Sequence, residues 1–268
     1  MPEGHTLHRL ALDLTQTFGG RVVSVSSPQG RFAESAAQLD KTRMIEGTAH
    51  GKHLFCEFDG DRFLHIHLGL IGSFELGPPQ PPRGLIRVRI ATEQAVADLR
   101  GPQLCTLRTR AEVASQLAVL GPDPLRADAD PDLAWRRIHR ATRPIAALLM
   151  DQTVLSGVGN VYRAEVLFRN RINPHRAGNK LSRRSWLGIW TDLVELMPQG
   201  VVHNRIDTVR PEHTPEAMGR PPRKDDHGGE VYVYRRAGLA CLVCGSMIRT
   251  ELLAGRNLFW CGRCQRRG

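Results

Sequence analysis

Cys241, Cys244, Cys261 and Cys264 stand in the pattern C-x2-C-x16-C-x2-C. Two thiolates two residues apart in a tight turn can share one tetrahedral zinc ion, and a second such turn completes the shell. In a chain without secretory features this spacing points to one structural Zn2+ rather than to a pair of disulfides. The other two cysteines, Cys56 and Cys105, lie in strand-like surroundings and read as buried small hydrophobes. At the opposite end of the chain stand Pro2 and Glu3. Once Met1 is removed, Pro2 presents a secondary amine, a nucleophile that attacks an aldehyde-like carbon and forms an iminium without a lysine. Glu3 begins a helical pattern, where the dipole favours its carboxylate, and a carboxyl beside a nucleophile can shuttle protons. Taken singly, each has a bland reading: most second-position prolines do nothing catalytic, and Glu3 alone is a helix-start acid. Lys52, after Gly51 at the beginning of a strand, fits a catalytic acid, a phosphate contact or a solvated surface lysine. His65 and His67 alternate on one strand face, with His5 and His53 elsewhere, but no acid or cysteine completes a second metal-ligand set.

These residues need elements to hold them. Residues 3–18 read as an amphipathic helix with Leu7, Leu10, Ala11, Leu14 and Phe18 on one face and Gly19-Gly20 at its end. Strand signals follow at Val22–Val25, His53–Phe58, Phe63–Leu68, Leu85–Ile90 and Val96–Thr109, separated by Asp59-Gly60-Asp61 and a proline-rich loop. After a boundary from Gly121 to Pro131, helical patterns cover Pro131–Ala141, Pro144–Asp151, Gly159–Asn170 and Arg183–Leu196. Ser156-Gly157-Val158-Gly159-Asn160 joins the second and third of these. Glycines before a helix N-terminus allow close approach of a phosphate, although plain turn chemistry explains them equally well. Residues 203–230 are polar and rich in Pro, Gly and charge, the composition of a functional or disordered loop.

The 268 residues suffice for one large or two modest domains, and 41% hydrophobic with 24% charged residues excludes a disordered polyelectrolyte. No run approaches the roughly 18 consecutive apolar residues of a membrane span, and the first residues lack signal-peptide character, so the expected location is the cytoplasm. The net charge of +10 is unevenly placed: residues 1–131 carry 14 basic and 15 acidic side chains, residues 132–268 carry 23 and 12. Nearly all the excess is arginine, whose planar fork suits phosphate, so the C-terminal half points to nucleic acid or to a merely soluble basic surface. From Ala240 onward, Arg249, Arg256, Arg263, Arg266 and Arg267 face a single acid, Glu251. So short a finger buries little core, and its folding energy is expected to come from the metal.

Met-Pro-Glu-Gly at the start, Gly51-Lys52, His67-Leu68-Gly69, Leu148–Gln152, Gly157-Val158-Gly159-Asn160-Val161-Tyr162, Glu165–Phe168, and Gly255-Arg256 with Phe259-Trp260-Cys261-Gly262-Arg263-Cys264-Gln265 occur together. In combination they resemble the formamidopyrimidine-DNA glycosylase / endonuclease VIII family from end to end, and the Met-Pro-Glu-Gly start points to the bacterial endonuclease VIII branch. The resemblance implies a multidomain α+β fold. Its parts would be a catalytic β-sandwich with one helix (1–115), a linker (116–131), a helix–two-turn–helix domain carrying the long loop 203–230 (132–234) and a four-cysteine zinc-finger β-hairpin (235–268). DNA would lie in the cleft between the halves. It further implies action on damaged double-stranded DNA of the bacterial nucleoid; a monomer is the default expectation, and the altered wedge described below adds bubble and single-stranded DNA as expected substrates. Pro2 would attack C1′ and hold a Schiff base, Glu3 would handle protons at the deoxyribose, Lys52 would assist β-elimination, and Arg256 would help the δ step. Lys52, His67, Asn160 and Arg256 would clamp the phosphates around an extruded nucleotide, and Leu70 would fill the hole it leaves.

Three departures from that branch bear on specificity. His5 stands in place of a second proline, Gly69-Leu70-Ile71 in place of a Gln-Leu-Tyr wedge, and Val119-Leu120 where an arginine precedes Gly-Pro-Asp. Without the wedge glutamine and tyrosine, weak opposite-base selectivity is expected. The expected activity is removal of oxidised pyrimidines with β,δ-elimination at abasic sites. The alternatives are the same chemistry on oxidised purines, a catalytically silent damaged-DNA binder and a zinc-ribbon RNA-binding protein.

Overall fold

The computed structural model describes residues 2–224 and 229–266. Met1, loop residues 225–228, Arg267 and Gly268 lie outside the described residues. The chain forms two compact units, Met1–Val119 and Leu120–Gly268.

In the first unit, helix α1 (Gly4–Phe18) buries Leu7, Ala11, Leu14 and Phe18 along one stripe, as its spacing predicts. It packs on strand β2 (Thr42–His50) at Gly47, where a Cβ would stand 2.9 Å from the Ala11 carbonyl oxygen. The Thr15 hydroxyl accepts from the Gly47 N–H at 2.7 Å and donates to the Ala11 carbonyl at 2.7 Å. That close seat fixes where the head of α1, and therefore Glu3, lies over the sheet. Strands β1 (Arg21–Ser26), β3 (His53–Phe58), β4 (Arg62–His67), β5 (Ser73–Gly77), β6 (Ile86–Ala91), β7 (Val96–Arg100) and β8 (Leu104–Arg108) complete an eight-stranded antiparallel array in the order β5-β7-β6-β1-β2-β3-β4-β8. Strand β1 changes partner midway: Arg21–Val23 pair with β2 and Ser24–Ser26 with β6. Residues of both halves, such as Leu54, Ile66, Val88 and Leu99, share one core with α1.

Strands β2 and β5 and helices α2 (Ala33–Leu39) and α3 (Arg110–Ala118) go beyond the elements read from the sequence. In β2 only Met44 and Ala49 are buried, so the strand carries no alternation to read. The expected strand Val96–Thr109 is two strands, broken at Gly101 with φ +54°. Cys56 is buried as expected, while Cys105 is half-buried.

The second unit contains α4 (Pro131–His139), α5 (Ile145–Leu148), α6 (Asn160–Arg169), α7 (Arg183–His203), α8 (Pro215–Met218) and the hairpin of β9 (Ile248–Leu253) and β10 (Arg256–Cys261). Helix α7 runs past its expected end at Leu196 and through Pro198. Proline there removes the bond to the Val194 carbonyl, which stands on the exposed side where water can replace the donor. The described residues 203–224 and 229–230 of the expected loop hold more structure than their composition suggests, with a 3-10 turn at Pro211–His213, α8, and buried Thr208 and Glu230. Residues Leu120–Asp123 are buried, and the Gly121 N–H donates to the Gln152 carbonyl at 2.8 Å, so this stretch packs within the second unit. The zinc finger is not energetically alone, contrary to expectation. Ile248, Leu258, Phe259 and Trp260 lie in the same core as Leu148, Tyr162, Trp186 and Tyr234. The Gln265 side chain ties the finger further, accepting from the Cys261 N–H at 2.9 Å and donating to the Ile172 carbonyl at 2.9 Å. Among the described residues, no helix is long and apolar enough to cross a membrane.

Candidate active site

In the first unit Pro2 is half-buried, and Glu3, the residue before the first turn of α1, is fully buried. Its carboxylate stands at the head of a helix whose first turn contains no other acid. His5, in the place of a second proline, is buried one turn further. Burial first, and neighbouring positive charge second, push its pKa down to about 4.

Lys52 is not the first residue of a strand, as its sequence context suggests. His50 pairs with His53, so Gly51-Lys52 is a two-residue hairpin turn, and Gly51 supplies φ +57°. The turn presents Lys52 at the end of β2 and β3, within the electrostatic reach of His67 at the end of β4. Burial first and the Lys52 ammonium second lower the pKa of His67. The His67 Nδ1 accepts from the Gly69 N–H at 3.1 Å, so the neutral ring carries its proton on Nε2. Behind it, the His53 ring centre lies 5.1 Å from that of His67 and 5.1 Å from that of His65. His53 Nδ1 and His65 Nε2 share a 2.8 Å hydrogen bond. Burial is the largest cause in lowering His53 to about 3 and His65 to about 4. The histidines therefore form a neutral stack at neutral pH, and among the described residues they bring no third ligand group close enough for a metal.

After β4 the chain turns at Gly69 with φ +72°, and the Gly72 N–H donates to the Leu68 carbonyl at 3.1 Å. Leu70 is 50% and Ile71 87% exposed at this tip. Two aliphatic side chains held out by a closed turn have the form of a wedge.

In the second unit the two turns between α5 and α6 are closed by Gln152. Its side chain accepts from the Gly157 N–H at 3.0 Å and donates to the Val158 carbonyl at 3.1 Å. Gly159 caps α6 without a side chain, and Asn160 is the first helical residue. Arg256 begins β10, directly after the turn Ala254-Gly255, whose φ values are 49° and 73°. The structure brings Asn160 to the finger: its Nδ2 donates to the Asn257 carbonyl at 3.0 Å.

Two buried charges on α6 escape periodicity arguments. Arg163, fully buried, donates to Asn160 Oδ1 and to the Asn257 carbonyl. Glu165, also fully buried, accepts from the backbone N–H groups of Tyr232, Val233 and Tyr234 and from the Thr208 hydroxyl, all at 2.7–2.8 Å. Glu165 thus pins both stems of segment 203–230.

The sulfur atoms of Cys241, Cys244, Cys261 and Cys264 all lie within 4.8 Å of one another, with Cys244–Cys261 at 3.4 Å and Cys241–Cys264 at 3.9 Å. A tetrahedron with bonds of about 2.3 Å has edges of about 3.8 Å, so the four thiols fit one structural zinc ion.

Three family models match successive stretches of the chain. The formamidopyrimidine-DNA glycosylase N-terminal domain matches residues 1–106, its H2TH domain residues 120–210, and the zinc finger found in FPG and IleRS residues 238–267. "Endonuclease 8 1" of Mycobacterium tuberculosis (strain ATCC 25618 / H37Rv) is 51% identical over 99% of this chain and 100% of its own length. "Probable endonuclease 8 2" of Streptomyces coelicolor is 30% identical over 99% of this chain and 94% of its own. The Lactococcus lactis Fpg solved with an abasic site containing DNA superposes with a TM-score of 0.81 at 22% identity, covering 99% of this chain and all of that one, a likeness of fold. With half its residues shared across the full length of an endonuclease 8, the chain belongs to the formamidopyrimidine-DNA glycosylase / endonuclease 8 family of base-excision-repair glycosylases.

Proposed function

We propose that this DNA glycosylase/AP lyase removes oxidised pyrimidines and nicks abasic sites by β,δ-elimination through a Schiff base on Pro2. The observation that carries the reading is the fully buried Glu3 carboxylate at the head of α1, next to the one residue able to supply a secondary amine. With Met1 removed, the Pro2 nitrogen attacks C1′ and loses its proton as the bond from C1′ to the base breaks and the base leaves protonated; the C1′–O4′ bond then opens, O4′ takes a proton, and an iminium forms at C1′. Glu3 moves protons at the deoxyribose. Loss of a C2′ proton breaks the C3′–O bond, assisted by Lys52, and loss of a C4′ proton then breaks the C5′–O bond. The two phosphates leave on either side of a one-nucleotide gap.

Chemistry at C1′ requires the nucleotide outside the stack. Leu70 fills its place, while Lys52, His67, Asn160 and Arg256 hold the flanking phosphates. His67 acts as a neutral Nε2–H donor. The zinc, held by Cys241, Cys244, Cys261 and Cys264, fixes the finger that carries Arg256 and takes no part in the bond-breaking steps. The division of labour follows 1–115 for catalysis, 116–131 as linker, 132–234 for the helical grip and 235–268 for the finger. The protein works as a monomer on nucleoid DNA in the cytoplasm. Pyrimidine preference is supported by the endonuclease 8 names of its similar relatives.

Borohydride trapping on an abasic-site oligonucleotide, with intact-mass analysis of the N-terminus, tests the reading. A covalent adduct from protein that starts at Pro2, lost in Pro2→Gly, is expected. Absence of an adduct from protein shown to start at Pro2 would leave a silent damaged-DNA binder. A lesion panel then separates pyrimidine from purine preference.

A further inference from the structure

Asn160 and Arg256 stand on different elements, yet both must reach the same stretch of backbone if the phosphate clamp is to work. What sets their spacing is a side chain that touches neither role directly. We propose that Arg163 is the positioning residue that locks the Asn160 amide and the start of β10 into one rigid phosphate-gripping edge. The inference rests on the clamp assigned under Proposed function.

The geometry is a closed triangle. Arg163 lies one turn after Asn160 on α6 and is fully buried. Its Nη2 donates to Asn160 Oδ1 and also to the Asn257 carbonyl at 3.1 Å. Asn160 Nδ2 donates to that same carbonyl at 3.0 Å. A side-chain amide can normally rotate by a half turn and exchange its oxygen for its nitrogen. Here the exchange would set an NH2 group against a guanidinium and an oxygen against a carbonyl, losing both bonds. The amide is therefore held with Oδ1 inward, and one Nδ2–H remains for a ligand.

The shared acceptor gives the triangle its second effect. Asn257 follows Arg256, so the carbonyl that receives both donors is on the residue next to the finger's arginine. Arg163 thereby ties the N-terminus of α6 to the entry of β10 and sets how far the Arg256 guanidinium stands from Asn160. A lysine has the charge but not the fork, and could serve only one acceptor at a time. A methionine fills the volume and serves neither.

Two readouts test this, one of them without DNA. In nitrogen-15-labelled free protein, the two Asn160 side-chain amide protons should be well separated and slow to exchange. Arg163→Met should bring them together and speed their exchange, with Arg163→Lys intermediate. The second readout is the affinity for a duplex carrying a tetrahydrofuran abasic analogue, measured over a salt series beside the thermal midpoint. Arg163→Met should weaken binding about tenfold and lower the salt slope by about 0.9, the share of one lost phosphate contact. Asn160→Ala should weaken binding with the slope unchanged, because an amide carries no charge. The double variant should be no worse than Arg163→Met alone.

Unchanged amide signals in Arg163→Met would overturn the proposal, as would an unchanged slope or additive losses in the double variant. Should Arg163→Met fail to fold, Arg163→Gln, which keeps one donor, takes its place in both measurements. A protein that forms no borohydride adduct but shows the amide response retains the wiring and loses the enzymatic reading, so the two failures are distinct.

Discussion

In the N-terminal unit Lys52 and Leu70 stand on turns, whereas in the C-terminal unit Asn160 and Arg256 stand at element ends tied together by buried charge. Lys52 sits on a two-residue hairpin turn and Leu70 on the turn opened by Gly69, each set by a local glycine with positive φ. Asn160 and Arg256 depend instead on hydrogen bonds between residues far apart, such as Arg163 and Asn257, 94 positions away. The electrostatics differ in the same sense. The first unit keeps His53 and His65 neutral by burial, while the second supplies the arginine excess. On the proposed reading, one unit reacts and wedges while the other holds a polyanion.

The largest effect should come from the reacting side. Glu3→Gln keeps the volume of a fully buried side chain and removes its proton-carrying ability. Turnover on an abasic-site duplex should fall by about 10²–10⁴-fold, the usual worth of a positioned acid–base group, with affinity for the same duplex little changed. A loss of affinity as large as the loss of rate would show that Glu3 belongs to the holding machinery, and the contrast between units would fail.

Removing zinc should act on the holding side alone. Because Leu258, Phe259 and Trp260 lie in the core of the second unit, chelation should loosen the cysteine turns and the Arg256 edge without melting the helices. DNA affinity should drop by more than tenfold while far-ultraviolet circular dichroism keeps its helical signal. Cooperative loss of that signal on chelation would mean that the metal, not the shared core, holds the finger in place.

How much of this could be read beforehand followed the range of the interactions. The cysteine pairs and the α1 stripe are short-range patterns, and they point to a four-thiol zinc site and a helix, as found, while the α+β fold comes with the family resemblance. Strand β2 was invisible because burial touches only Met44 and Ala49, and its place is set by α1 closing on Gly47. Helix α7, expected to end at Leu196, runs on through Pro198 because proline forbids only one bond, and packing of Leu193, Leu196 and Met197 outweighs it. Arg163 and Glu165 look like surface charges on an amphipathic helix. Only their partners, on β10 and on Thr208 and Tyr232–Tyr234, make them interior.

A smaller effect should separate wedge from grip. Leu70→Ala removes apolar surface from an exposed tip and no charge. Processing of a duplex lesion should fall about tenfold, single-stranded substrate should be little affected, and the salt slope should stay put. Arg256→Ala should instead lower the slope by about 0.9 and weaken both substrates. With neither glutamine nor tyrosine at the tip, rates opposite the four bases should lie within a few-fold of one another. Sharp discrimination would show that another residue reads the orphaned base.

The mildest test uses acid, which should strain the first unit before the second. His65 and His5 are buried, with pKa values of about 4, and His53 is held at about 3, burial being the first cause in each. Unfolded histidine takes up its proton near pH 6.5, so below that pH the unfolded chain binds protons that the folded unit refuses. Stability is therefore full above about pH 6.5 and is lost as the pH falls toward 4, by up to about 1.4 kcal/mol per pH unit for each such histidine. Thermal unfolding between pH 7 and pH 4.5 should show the midpoint of the first unit falling faster, and His65→Asn should flatten that fall by one proton's share. A first unit as insensitive as the second would mean that the stacked imidazoles accept protons where they stand, and that His67 grips phosphate as a cation.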